Sequence, residues 1–273
     1  MTARRRARAV RSRRAARLAF GAMAACALTA CQSNSAVPKY TETQRAKAAQ
    51  ANLQLGMGYL QQGNLALAKT KLERAEIEDP HSAEIHSALG LLDERLGKDK
   101  EADKEYRTAL SITPGDPALL NNYAVYLCSH GRAVEGVHNF EAAAGNPLYR
   151  SPWAAYTNAG VCLRQAHHES DAAQLFVRAL QSNPSYAEAI FQASDLDLSQ
   201  QKYAAARLRV DFFMTNNSAT PDLLLLGWRI AQVQNDGAGA ARYAQRLAKE
   251  FPGSEQSRAI SASADQSGLS GTH

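Results

Sequence analysis

The sequence predicts an all-α chain built as a stack of two-helix units. Three observations carry that prediction. Leu55-Gly56, Tyr59, a break at Gly63-Asn64, Ala68, Leu72, Ala75 and a stop at Pro80 recur 34 residues later as Leu89-Gly90, Asp93, Gly97, Ala102, Tyr106, Ala109 and Pro114. Aromatic residues make up only 7% of the chain, while Ala, Leu, Gln and Glu, all good helix formers, are abundant. Most Gly and Pro fall at regular intervals, where they punctuate helices, rather than between short alternating runs that would mark strands.

The spacing has a physical cause. Gly and Ala stand where two helices must approach closely, and Leu, Tyr and Phe fill the space opposite. Gly63, Gly97 and Gly131 end the first helix of a unit by entering the left-handed region. Pro80, Pro114, Pro184 and Pro252 stop the second helix, since proline lacks the amide hydrogen that continues the ladder. A 34-residue period with large-Gly, Tyr, Ala, aromatic or Leu, Ala and Pro in that order resembles the tetratricopeptide repeat, a helix–turn–helix unit that stacks into a superhelix. With Ala49 as the first position, six repeats follow: 49–82, 83–116, 117–150, 153–186, 187–220 and 221–254. The third has Gly136 where Ala is usual and Pro147 one residue early, and Ser151-Pro152 is inserted after it. The fourth keeps Trp153, Gly160, Ala172, Phe176, Ala179 and Pro184; the fifth keeps Ala206 but loses Gly and Pro. The sixth is held by Trp228, the break at 235–239, Ala240 and Pro252.

The ends differ from the array. Eight Arg and no Asp or Glu lie in residues 1–30, so removing them from a net charge of +5 leaves −3, which argues against a nucleic-acid surface. That segment has the layout of an export signal, with an Arg-rich start and an apolar run at 18–28 too short to span a bilayer. Its end, Leu28-Thr29-Ala30-Cys31, looks like a bacterial lipobox, which implies lipidation of Cys31 and, with Gln32 following, the periplasmic face of the outer membrane. The competing reading makes Cys31 an ordinary residue after a plain signal cut. Residues 31–44 read as a flexible tether, with Thr41 or Thr43 capping the first helix. Residues 255–273 read as a poorly ordered tail, helical at most through 259–264.

No pattern for catalysis, a cofactor or a small-molecule substrate emerges. His81, His86, His130 and His138 are expected at turns or helix surfaces without carboxylates at metal-cage spacing, and His167-His168 occupies a turn where Gly is customary. There is no phosphate loop and no nucleophile elbow. Cys128 and Cys162 sit on successive first helices; in an oxidising periplasm they are a disulfide candidate, with two buried free thiols as the alternative. A catalytic redox couple is disfavoured by the absence of Cys-x-x-Cys spacing. The groove positions of the first repeat are Gln50, Leu53, Met57, Leu60 and Gln61, an apolar row suited to docking a partner; the alternative packs Leu53 or Leu60 onto the unit's own second helix. Later repeats place Ser87, Glu94, Arg95, Asn121, Thr157 and Arg164 there.

Asn121-Asn122-Tyr123, Leu127-Cys128, Gly131-Arg132 and Asn158-Ala159-Gly160-Val161-Cys162 resemble the type IV pilus biogenesis/stability lipoprotein family, often called PilW or PilF. The resemblance spans roughly residues 28–254, with Ala124 where Gly is frequent and an unusually long Arg-rich signal as departures. It implies a non-enzymatic pilotin that helps the pilus secretin reach and assemble in the outer membrane, and a Cys128–Cys162 disulfide. The rival reading is a general periplasmic scaffold for envelope or cell-wall assembly.

Overall fold

The computed structural model describes residues 41–269, with side chains to residue 262. The chain divides into two units, residues 1–45 and 46–273. The expected signal segment, Cys31 and most of the tether lie outside the described residues. Within them Thr41 Oγ1 accepts from the Gln44 N–H at 3.2 Å while Gln44 Oε1 accepts from the Thr41 N–H at 2.8 Å. This reciprocal capping box selects Thr41 over Thr43 and starts the first helix inside the stretch expected to be tether.

Thirteen helices and no strand occur among the described residues. They are α1 Glu42–Gln61, α2 Leu65–Glu78, α3 Ala83–Arg95, α4 Asp99–Ile112, α5 Pro117–Ser129, α6 Ala133–Gly145 and α7 Pro152–Gln165. Then come α8 Glu169–Ser182, α9 Ala187–Ser199, α10 Tyr203–Asn216, α11 Pro221–Val233, α12 Gly237–Glu250 and α13 Glu255–Leu269. Successive odd and even helices form antiparallel pairs, and α3, α5, α7, α9 and α11 each also touch the next odd helix. The odd helices therefore share one face of the stack.

Within five of the six pairs a small residue on the odd helix meets a large one sixteen positions later. A Cβ on Gly56 would lie 2.6 Å from Leu72, on Gly90 3.1 Å from Tyr106, and on Gly160 2.4 Å from Phe176. The third pair uses Ala124 with Phe140, both in one buried cluster. The sixth uses Gly227, whose Cβ would lie 2.5 Å from Tyr243. The sequence register singles out Trp228 there, but the close approach falls one residue earlier. Burying each large partner contributes roughly 1.5–3 kcal/mol, and only stacking removes these surfaces from water.

The turn inside every pair carries one residue with positive φ: Gly63, Gly97 and Gly131 at 70–73°, then His167 at 61°, Gln201 at 60° and Asn235 at 53°. The turn geometry thus persists where glycine does not. Side-chain caps recur at Asn64, Ser82, Asp116, Thr220 and Asp236.

The C-terminal segment departs from expectation. In place of a poorly ordered tail the chain forms α13, which packs on α11 and α12 as the next odd helix would. Ile260 and Ser257 are buried there, and Gln256 Nε2 donates to Asp222 at 2.7 Å. Ile260 and Leu269 alone were too weak a periodic signal, but the exposed end of α11 and α12 supplies the missing partner surface.

Candidate protein-docking face

The odd-helix face begins with a cavity of about 450 Å³ bounded by α1, α3 and α5, with Tyr106 reaching in from α4. Leu53, Met57, Leu91 and Val125 are among its apolar walls, and Gln50, Glu84, Ser87, Glu94 and Asn122 among its polar ones. Val125 is 46% exposed, although it lies on a face where stacked helices bury most large apolar side chains. The polar groups are partly committed: Asn122 donates to Ser87 Oγ at 3.3 Å, and the Tyr106 hydroxyl donates to Glu94 Oε2 at 3.3 Å. Burial, reinforced by Glu94, pushes the Tyr106 hydroxyl far above the usual tyrosine range, so it stays a donor. Glu84 and Glu94 make the lining acidic, with no Lys or Arg among the residues that line it.

Of the five groove residues expected from sequence, Gln50, Leu53 and Met57 line this cavity. Leu60 does not. It is 6% exposed and belongs to the core with Leu72 and Leu89, so the alternative in which it packs within the array holds for that residue. Leu53, 8% exposed, does both: it joins the same core and forms cavity floor. Gln61 is exposed at the end of α1, outside the cavity lining. Sequence reasoning missed the contributions of Leu91 and Val125. One repeat read alone cannot show that three odd helices converge.

Farther along, the same face is occupied by its own polar contacts. Asn158 donates to Asn121 at 3.4 Å; Arg164 donates to Gln192 and pairs with Asp195, each at 3.0 Å; Arg229 reaches Asp195 at 3.3 Å. Thr157, expected in the groove, is buried and donates to the Trp153 carbonyl.

Between these regions Cys128 and Cys162 lie with Cα atoms 5.5 Å apart and sulfurs at bonding distance. Gly136 now has a reason. A Cβ there would stand 2.4 Å from Cys128 Sγ, so the glycine in place of the usual alanine makes room for the sulfur. Gly160 receives Phe176, while Ala159 is buried in the cluster around Cys162.

The histidines divide. His167 sits at the positive-φ turn, as the sequence suggests. His86 does not sit on a bare helix surface: it is 8% exposed, with Nδ1 2.6 Å from Glu105 Oε2 and Nε2 3.1 Å from the Pro80 carbonyl. The carboxylate partner comes from α4, nineteen residues away, beyond what local spacing reveals.

Stacked helix pairs, fixed small-to-large contacts and left-handed turns define a tetratricopeptide-repeat protein whose open face lies on its odd helices. No family model matches the chain. It is, however, 33% identical over 239 residues to the type IV pilus assembly protein PilF of Pseudomonas aeruginosa, spanning 87% of this chain and 95% of that protein. The solved structure of Pseudomonas aeruginosa PilF matches with TM-score 0.62 at 32% identity, over 80% of this chain and 99% of that one. That of PilW, described as a widely conserved type IV pilus biogenesis factor, matches with TM-score 0.63 at 25% identity, over 78% and 97%. The chain belongs to the PilF family of type IV pilus assembly proteins, and its homology supports a role in type IV pilus biogenesis.

Proposed function

We propose that this protein is a non-enzymatic outer-membrane lipoprotein, anchored through Cys31, that binds the pilus secretin and promotes its localisation and multimerisation. Family membership supports the pilus setting. The observation that favours protein docking is the cavity at the start of the array, where Met57, Leu91 and Val125 stay partly open while later repeats bond their polar groups to one another. An apolar segment entering there would bury those side chains without displacing an existing helix. The Cys128–Cys162 pair acts in this reading as a disulfide that staples the third repeat to the fourth, next to the two-residue insertion, rather than as a redox couple.

The test is secretin assembly in cells carrying charged variants. Met57→Glu is expected to remove secretin multimers while the purified array keeps its helical signal and melting temperature. Leu60→Glu, by contrast, buries a charge in the core and is expected to unfold the first repeat, costing several kcal/mol. Normal secretin multimers in the Met57→Glu strain would remove the cavity from the docking assignment.

A further inference from the structure

His86 poses a problem of proton inventory. The Pro80 carbonyl can only accept, so His86 Nε2, 3.1 Å away, carries a hydrogen and donates it. In a neutral imidazole that leaves Nδ1 as a bare lone pair, pointed at the Glu105 carboxylate 2.6 Å away. Two acceptors do not stay at that distance without a positive centre between them. A proton is one such centre, and it serves one carboxylate. A second carboxylate is present: Glu76, from α2, places an oxygen within 4.8 Å of both other ligand atoms. Glu76 makes no hydrogen bond or ion pair among the described residues, and neither glutamate is bridged by Lys or Arg. Even with a proton on His86 the three groups carry a net charge of −1 in a half-buried joint.

We propose that Glu76, His86 and Glu105 form a binding site for a transition-metal dication of the Zn²⁺ type. Three protein ligands with a water completing four-coordination suit zinc, and one imidazole with two carboxylates is a poorer match to the all-oxygen preference of Mg²⁺ or Ca²⁺. The Nε2–H bond to the Pro80 carbonyl fixes the tautomer that a metal-binding histidine needs, presenting Nδ1 to the ion. Zinc bonds of about 2.0–2.1 Å require the Nδ1 to Oε2 gap to open by roughly 0.7 Å, a small side-chain adjustment. The ligands come from α2, α3 and α4, and α3 also lines the docking cavity through Glu84, Ser87, Ala88 and Leu91. Loading therefore clamps the first repeat to the second beside that cavity.

Isothermal titration of untagged, EDTA-stripped protein with ZnCl₂ tests this. One equivalent should bind, and MgCl₂ should give no comparable heat. Glu76→Gln should lower zinc affinity at least about tenfold without changing the metal-free melting temperature, because Glu76 has no partner to lose. His86→Gln should abolish the one-equivalent event. Absence of saturable zinc binding, or equal binding by wild type and Glu76→Gln, would overturn the site and leave His86 as a buried hydrogen-bond partner of Glu105. Neither result depends on secretin binding.

Discussion

At the scale of single residues, the six intra-pair turns show where sequence and conformation part company. Glycine enters the left-handed region freely, whereas an L side chain there costs on the order of 1 kcal/mol or more. Gln201 holds φ 60° with that cost unrelieved by a glycine. Replacing Gln201 by Gly is therefore expected to raise stability by about 1 kcal/mol, read as a higher melting temperature by circular dichroism. The reverse change at Gly97, φ 70°, is expected to lower it by a similar amount. Gly136 makes the complementary point: its lack of a side chain serves Cys128 Sγ, not the backbone. From sequence these glycines look alike, because a one-letter pattern records the missing Cβ and not what occupies its place.

At the scale of elements, the joint between α4 and α5 carries a polar network. Asp103 accepts from Tyr123 at 2.8 Å and from Arg132 at 2.6 Å, and Arg132 also pairs with Glu135. Close by, His130 caps the C-terminus of α5 and lies 3.2 Å from Asp99 at the start of α4. Burial opposes its charge, but the Tyr126 carbonyl and Asp99 outweigh that and hold the imidazolium, raising its pKa above the ordinary histidine range. A raised folded pKa contributes stability that is complete below about 6.5 and lost as pH climbs through the folded value. Thermal melts between pH 6 and pH 9 should show a decline attributable to this group. In His130→Gln that component of the slope should vanish; an unchanged slope would assign it elsewhere. Asp103 meets Tyr123 and Arg132, and Asp99 meets His130, from 20 or more positions away, so repeat spacing predicts the two helices and not the charge network that joins them.

At the scale of the whole array, its last described helix decides how the stack ends. A solenoid terminates in an apolar face unless something covers it, and α13 covers α11 and α12 with Ile260. Ile260→Ala is expected to cost about 2 kcal/mol and to lower the melting temperature by several degrees, measurable by calorimetry. If the melt does not move, α13 contributes nothing to the array. The same scale assigns the docking cavity. Its walls belong to three repeats, so its specificity is a property of their stacking, and only the first of those repeats carries the apolar row visible in sequence.

The amino-acid sequence alone sufficed for the all-α class, the 34-residue unit and the positions of the internal turns. Those features depend on local conformational preference and on a contact repeated at constant separation. The resemblance to the pilus biogenesis family was also legible, because its residues stand in short runs such as Asn121-Asn122-Tyr123. Tertiary structure alone decided that Leu60 is core while Val125 is wall, that Gly227 rather than Trp228 takes the close approach, and that residues 255–269 form a helix. It also brought Glu76 and Glu105 to His86. Each of these depends on which neighbour removes a side chain from water, and that neighbour is supplied by the next helices in the stack.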